Sequence, residues 1–156
     1  MSAVGGDRVK TRVVEEARAW IGTPYRHQAS RRGVGADCLG LVRGVWRSLY
    51  GAEPAPVPDY TADWAGRVGN EPLLEAAARN FTSVEPVAAQ PGDLLVFRPF
   101  ANGPAKHCAV MSAPGRMIHA VHGRCVCETV FARWWERRTA GVFSFPEFPH
   151  SKDGRT

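Results

Sequence analysis

A chain of 156 residues carrying 20 Lys+Arg against 15 Asp+Glu, with 44% apolar and 22% charged residues, has the length and composition of one globular unit with a real core. Those values exclude a disordered chain, a collagen and a coiled coil. The formal charge of +5 suits an anionic partner, yet the positive residues are scattered, with short pairs only at Arg31-Arg32 and Arg137-Arg138. That pattern reads as a solvated basic surface and not as a nucleic-acid footprint.

The N-terminal stretch MSAVGGDRVK lacks an apolar signal core, so the chain is expected to be made in the cytoplasm and not exported by the general route. No apolar run approaches the ~20 residues of a membrane helix, and no membrane insertion is expected. Over residues 8–21, Val9, Val13, Ala17, Trp20 and Ile21 fall on one helical stripe, and Gly22 and Pro24 end it. A Gly- and Arg-rich loop follows to Ala36. A second helix is predicted from Asp37 to Tyr50. Cys38, Leu41, Val42, Val45, Trp46 and Leu49 form its buried stripe, and Gly51 is its C-terminal cap. Gly40 and Gly44, one turn apart, predict a close approach of another backbone.

Pro54, Pro56 and Pro58 interrupt the chain, and residues 59–82 read as one or two short helices with Leu73, Leu74, Ala77 and Phe81 inward. From residue 90 the apolar period changes to two. The turn Pro91-Gly92-Asp93 precedes strands predicted at 94–98, 107–112, 116–122, 125–131 and 141–145, with hairpin turns at Pro114-Gly115 and His122-Gly123. Helices first and a strand meander afterwards give an α+β class with an antiparallel sheet. The tail from Pro149, including His150, is expected to be disordered.

Four cysteines are present, Cys38, Cys108, Cys125 and Cys127, expected to be reduced when the chain is made. Cys38 opens the second helix, where unpaired amides and the positive dipole end stabilise a thiolate. A cysteine on a buried stripe is also an ordinary small core residue. Its partners therefore decide. His107 and His119 fall on consecutive strands. An odd-numbered loop between them pairs Ser112 with Arg116, sets His119 opposite Ala109 and puts both histidines on one sheet face, ~7–8 Å apart. An even-numbered loop puts them on opposite faces. On the favourable register a helix cysteine packed on that face meets a histidine oriented by a second polar group, the logic of a thiol peptidase. The competing metal reading requires His107, Cys108, His122, Cys125 or Cys127 to converge.

The segments TPYRHQ (23–28), GADCLGLVRGVWRSLYG (35–51), QPGDLLVFR (90–98), KHCAVM (106–111) and MIHA (117–120) resemble the NlpC/P60 family of cell-wall peptidases. Together with RWWERRTAGVFSFP (133–146) they are similar to its phage-type branch, found with the tails of phages and gene transfer agents. The resemblance implies a papain-like fold over residues 1–149, with helices packed on a five- to six-stranded antiparallel sheet and a proline-rich insert at 52–85. It implies Cys38 as nucleophile, His107 as base and His119 as orienter. Tyr25 would stand near the thiolate and the oxyanion, and Asp37 would fix the turn before the nucleophile. His27 is a candidate to line the substrate groove. Leu39 replaces the small hydroxyl residue of many relatives, which bears on subfamily more than on activity. Ala36 stands where relatives in that branch often carry cysteine.

The implied reaction is hydrolysis of an amide in peptidoglycan peptide stems, commonly at D-γ-glutamyl-diaminopimelate, without cofactor or metal. The alternatives are an amidase or acyltransferase on the same scaffold and a catalytically silent tail or baseplate module. The phage-type resemblance implies delivery to the periplasm or wall of a target cell by a phage-like tail. Its hub proteins would be partners, docked at 52–85 or at the aromatic stretch Phe143–Phe148. Of the adjacent Trp134 and Trp135, one is expected in the core and one partly exposed, without forming a sugar platform.

Overall fold

The computed structural model describes residues 3–54 and 71–148. Helix α1 spans Ala3–Ala19 and α2 spans Cys38–Tyr50, separated by a loop in which two-residue strands β1 (Ser30–Arg31) and β2 (Gly35–Ala36) pair antiparallel. Then come α3 (Pro72–Asn80), β3 (Thr82–Val84), β4 (Leu94–Phe97), β5 (His107–Ala113), β6 (Arg116–Ala120), β7 (Val126–Val130), the single-turn α4 (Arg133–Glu136) and β8 (Thr139–Ser144). Strands β3 to β8 form one six-stranded antiparallel sheet in the order β3-β8-β4-β5-β6-β7. This is the α+β arrangement expected.

Both faces of the sheet are covered. On one, Leu94, Val96, Cys108, Val110, Ile118 and Ala120 meet Val9, Val13, Ala17 and Trp20 of the α1 region and Leu41 and Val45 of α2. Each fully buried Leu or Val side chain there contributes roughly 1.5–3 kcal/mol. On the other face, Leu95, Phe97, Ala109, Met111, Met117 and Val142 form a smaller cluster, with Phe131 and Trp135 packed against it.

The close packing of α2 has a specific cause. A Cβ on Gly40 would lie 1.8 Å from the carbonyl oxygen of Ala29, and one on Gly44 would lie 2.0 Å from the Trp20 ring. The expected backbone approach therefore holds at Gly40, whereas Gly44 makes room for an indole. At the Pro-Gly-Asp turn, Gly92 adopts φ 97° and packs on Lys10, with a Cβ position only 2.5 Å from that of Lys10. Buried Asp93 accepts from the Lys10 ammonium, from the Ser144 hydroxyl at 3.1 Å and from the Gln90 amide at 2.9 Å. Helix α1 is thereby fixed to β4 and β8.

Several expectations need correction. Helix α1 begins at Ala3, five residues before the predicted start, because Gly5 and Gly6 break the apolar pattern without breaking the helix. Ile21 falls beyond its end, in a turn, and is 45% exposed. Thr82, the last residue of the range read as helical, opens the short strand Thr82–Val84, which pairs with β8 and is mostly exposed. The aromatic stretch from Phe143 points inward: Phe143 and Phe145 are core residues and Phe148 packs against Tyr50. The Phe143 and Phe145 rings are therefore not available to a docking partner. The helix expected in the first half of 59–82 and the tail with His150 lie outside the described residues.

Candidate active site

Asp37 holds the start of α2. It is the N-cap, 2% exposed, with Oδ1 accepting from the Gly40 amide and Oδ2 from the Gln28 amide, both at 2.7 Å. Gln28 presents that amide from a left-handed backbone, φ 64°. The side chain of Asp37 is thus a structural acceptor fixing the loop against the helix. His27 Nδ1 lies 3.9 Å from Asp37 Oδ2, at the edge of the same turn.

Cys38, the first residue of α2, is 9% exposed, with its Sγ 4.0 Å from the Lys106 carbonyl oxygen. From the strand beneath, Cys108 Sγ donates to the Cys38 carbonyl oxygen at 3.4 Å. The Cys38 thiol is held well below the usual range, first by the hydrogen bond from Cys108 and then by that from His107 and its charge. Burial and the nearby Asp37 oppose the shift without reversing it. The free amides of the helix start act in the same direction. Cys108 is pushed the other way, chiefly by its hydrogen bond to Cys38 and by burial, and stays a thiol.

His107 and His119 share a sheet face, but not by the simple route. The β5–β6 loop is the two-residue turn Pro114-Gly115, an even count that would have separated them. A bulge between Met111 and Ala113 supplies the missing residue, so Val110 still faces Ile118 and Met111 faces Met117. His107 Nε2 and His119 Nδ1 are 2.9 Å apart, and His119 Nε2 lies 2.9 Å from Thr129 Oγ1 on β7. Burial, then the charge of His107, lower the His119 pKa to about 4. His119 is therefore a neutral imidazole at pH 7.

The helix cysteine does not pack on the histidine face. Cys38 belongs to the cluster around Cys108 and Val110, on the opposite side of the sheet. It reaches His107 because both are terminal: Cys38 begins α2 and His107 begins β5, so the two meet at the sheet's end. Thr129 and Trp135 were not anticipated. Thr129 depends on the β6–β7 register, which pairs Met117 with Thr129 and His119 with Cys127. Trp135 lies over both imidazoles, with ring centroids 5.2 Å from His107 and 5.7 Å from His119. Its neighbour Trp134 is 49% exposed and stacks under Arg138, 3.7 Å from the guanidinium carbon.

These groups open onto a cleft of about 360 Å³, whose lining includes Tyr25, His27, Cys38, Lys106, His107 and His122. Tyr25 meets His122 edge-on at 4.9 Å, and its hydroxyl pKa is raised to about 12 by burial, Cys38 and Asp37. His122 sits in a turn as expected and also forms cleft wall. Among the described residues no group of three or more His, Cys, Asp or Glu is placed to hold a metal ion. The residues of the metal alternative are divided between the two sheet faces and a turn.

Residues 22–144 match the model of the NlpC/P60 family. The chain belongs to the NlpC/P60 family. In fold it is similar to the NlpC/p60 domain of the peptidoglycan hydrolase SagA, with a TM-score of 0.62 and 26% identity over 87% of this chain and 98% of that one. The peptidoglycan hydrolase RipB from Mycobacterium tuberculosis shares the fold at a TM-score of 0.63 and 19% identity, over 95% of this chain and 70% of RipB. In sequence the chain is 26% identical over 145 residues to gamma-DL-glutamyl hydrolase of Bacillus subtilis (strain 168), a match to 90% of this chain and 30% of that protein. The chain thus spans under a third of that relative's length.

Proposed function

We propose that this protein is a cysteine endopeptidase that hydrolyses amide bonds in the peptide stems of peptidoglycan. The observation carrying the proposal is the line of hydrogen-bonding groups from the Cys38 thiol through His107 and His119 to Thr129, the first three of which line an open cleft. A silent structural module has no need of a thiol with a depressed pKa and two hydrogen-bonded imidazoles on one cleft.

With Nε2 of His107 directed at His119, Nδ1 is the nitrogen left for the thiol. His107 takes the Cys38 proton there and becomes an imidazolium that donates from Nε2 to His119 Nδ1. Neutral His119 carries its own proton on Nε2 and donates it to Thr129 Oγ1. The Cys38 sulfur bonds to the substrate carbonyl carbon, and the π pair moves onto oxygen. Amides of the first turn of α2 and the Tyr25 hydroxyl, protonated at neutral pH, stabilise that oxyanion. Collapse breaks the C–N bond, and the leaving amine takes the proton from His107 Nδ1. Water then attacks the thioester while giving a proton back to His107, which releases the acid and restores the ion pair.

The γ-glutamyl link named for the Bacillus subtilis relative supports a stem-peptide substrate of that type. Lys106 lines the cleft with its ammonium 5.0 Å above the Phe100 ring, suited to a stem carboxylate. Purified peptidoglycan digested with the wild-type chain and with C38A, then resolved by mass spectrometry, tests the reading. New termini within the peptide stems, absent with C38A, are expected. Intact stems or C38A-independent cleavage would refute it, and cleavage at the sugar–peptide amide would assign an amidase instead. The finer reading, delivery by a phage-like tail, is supported by the phage-type resemblance of residues 133–146. Co-migration with tail proteins on a density gradient is expected, and recovery only from the soluble lysate counts against it.

A further inference from the structure

Outside the catalytic line the described residues hold a second pair of thiols. Cys125 and Cys127 are both partly exposed, their sulfurs are 3.5 Å apart, and Cys127 Sγ lies 3.3 Å from the Cys125 carbonyl oxygen. They stand at the root of the β6–β7 hairpin, where three site-bearing segments meet. Cys125 bridges to Pro24 beside Tyr25, Cys127 is the cross-strand partner of His119, and the turn between Val121 and Cys125 carries His122. Nothing in the proposed hydrolysis uses either sulfur.

We propose that Cys125 and Cys127 form a thiol–disulfide exchange site, a dithiol that closes reversibly into an intramolecular disulfide with a small-molecule disulfide as oxidant. One cysteine, as thiolate, attacks a sulfur of the oxidant and releases one small thiol. The second thiolate attacks the resulting mixed disulfide at the protein sulfur and displaces the other small thiol. Two S–H bonds are lost and one S–S bond is gained in the protein, while the oxidant takes up two electrons and two protons. Proximity makes the second step intramolecular. Closure brings the sulfurs from 3.5 Å to about 2.05 Å.

The backbone makes the bond a reversible one. Alternate residues of a strand lie roughly 6.7 Å apart, at the upper limit of the span a disulfide tolerates, and strained disulfides are the readily reduced kind. The other adjacent pair, Cys38 and Cys108, is poorly suited to the second step, because Cys108 is 1% exposed and its hydrogen bond to Cys38 and burial hold it as a thiol, not the thiolate that resolves a mixed disulfide.

The full chain, reduced and then incubated with oxidised glutathione, is blocked with iodoacetamide and cut with trypsin. Cleavage after Arg124 and Arg133 releases both cysteines in one peptide. The expected peptide 125–133 carries no alkyl group and is lighter by two hydrogens, and dithiothreitol treatment before blocking restores both alkylation sites. In C127S the same treatment is expected to leave a persistent glutathione adduct on Cys125. A doubly alkylated peptide 125–133 overturns the proposal. So does an adduct persisting on the wild-type peptide, or a disulfide joining Cys38 to Cys108 while 125–133 stays reduced.

Discussion

Each imidazole of the site has two ring nitrogens, and what each one meets assigns its work. His107 is placed between a thiol and an acceptor, whereas His119 lies between two hydrogen-bond partners and touches no reacting atom in the proposed mechanism. His107→Ala removes both the base for the thiol and the acid for the amine, and should cost ~10²–10⁴ in rate. His119→Gln keeps an oxygen for the His107 Nε2–H and should cost less. Thr129→Val removes only the acceptor that fixes the His119 tautomer, one hydrogen bond worth about 1–1.5 kcal/mol, and so on the order of tenfold. Turnover of the three variants on a stem peptide checks this order; a Thr129→Val loss equal to that of His107→Ala would contradict it.

At the scale of elements, α2 sets where the thiol stands, and its glycines set how deeply the helix sits. Gly44→Ala gains about 1 kcal/mol in helix propensity but sets a methyl 2.0 Å from the buried Trp20 ring. Overpacking should win, for a net loss of about 1–3 kcal/mol in urea unfolding; an unchanged or raised midpoint would mean the indole moves aside freely. This helix was legible from the sequence because Cys38, Leu41, Val42 and Val45 repeat at helical spacing and Asp37 and Gly51 bound it. Strands β1, β2 and β3 were not, since two or three residues are too few to establish a period. The histidine pairing was legible only as a condition on loop parity, and the bulge that met the condition leaves no mark in the residue pattern. Which sheet face α2 covers, and hence that Cys38 meets His107 around the sheet's end, follows from packing that no local pattern encodes.

For the whole molecule, His119 links the site to stability. Burial holds its folded pKa at about 4, below the 6.5 of an unperturbed histidine. Between those values the unfolded chain binds a proton there that the folded chain refuses, so stability falls as pH drops from 6.5 toward 4 and then levels for this group. The contribution is on the order of 3 kcal/mol. Urea unfolding of wild type and His119→Gln across that window should show a steeper acid loss for wild type; parallel curves would mean His119 titrates normally in the fold.

The central claim is that Cys38 is ionised at neutral pH with His107 among the groups that hold it so, beside the hydrogen bond from Cys108, and the rate of Cys38 alkylation by iodoacetamide as a function of pH tests it most directly. In the wild-type chain the rate should already be on its plateau at pH 7, with Cys38 labelled ahead of Cys108, Cys125 and Cys127. In His107→Ala the same rise should shift toward the ordinary thiol value of about 8.5. A wild-type rate that climbs only near that ordinary value, or a profile that His107→Ala leaves unmoved, would contradict it.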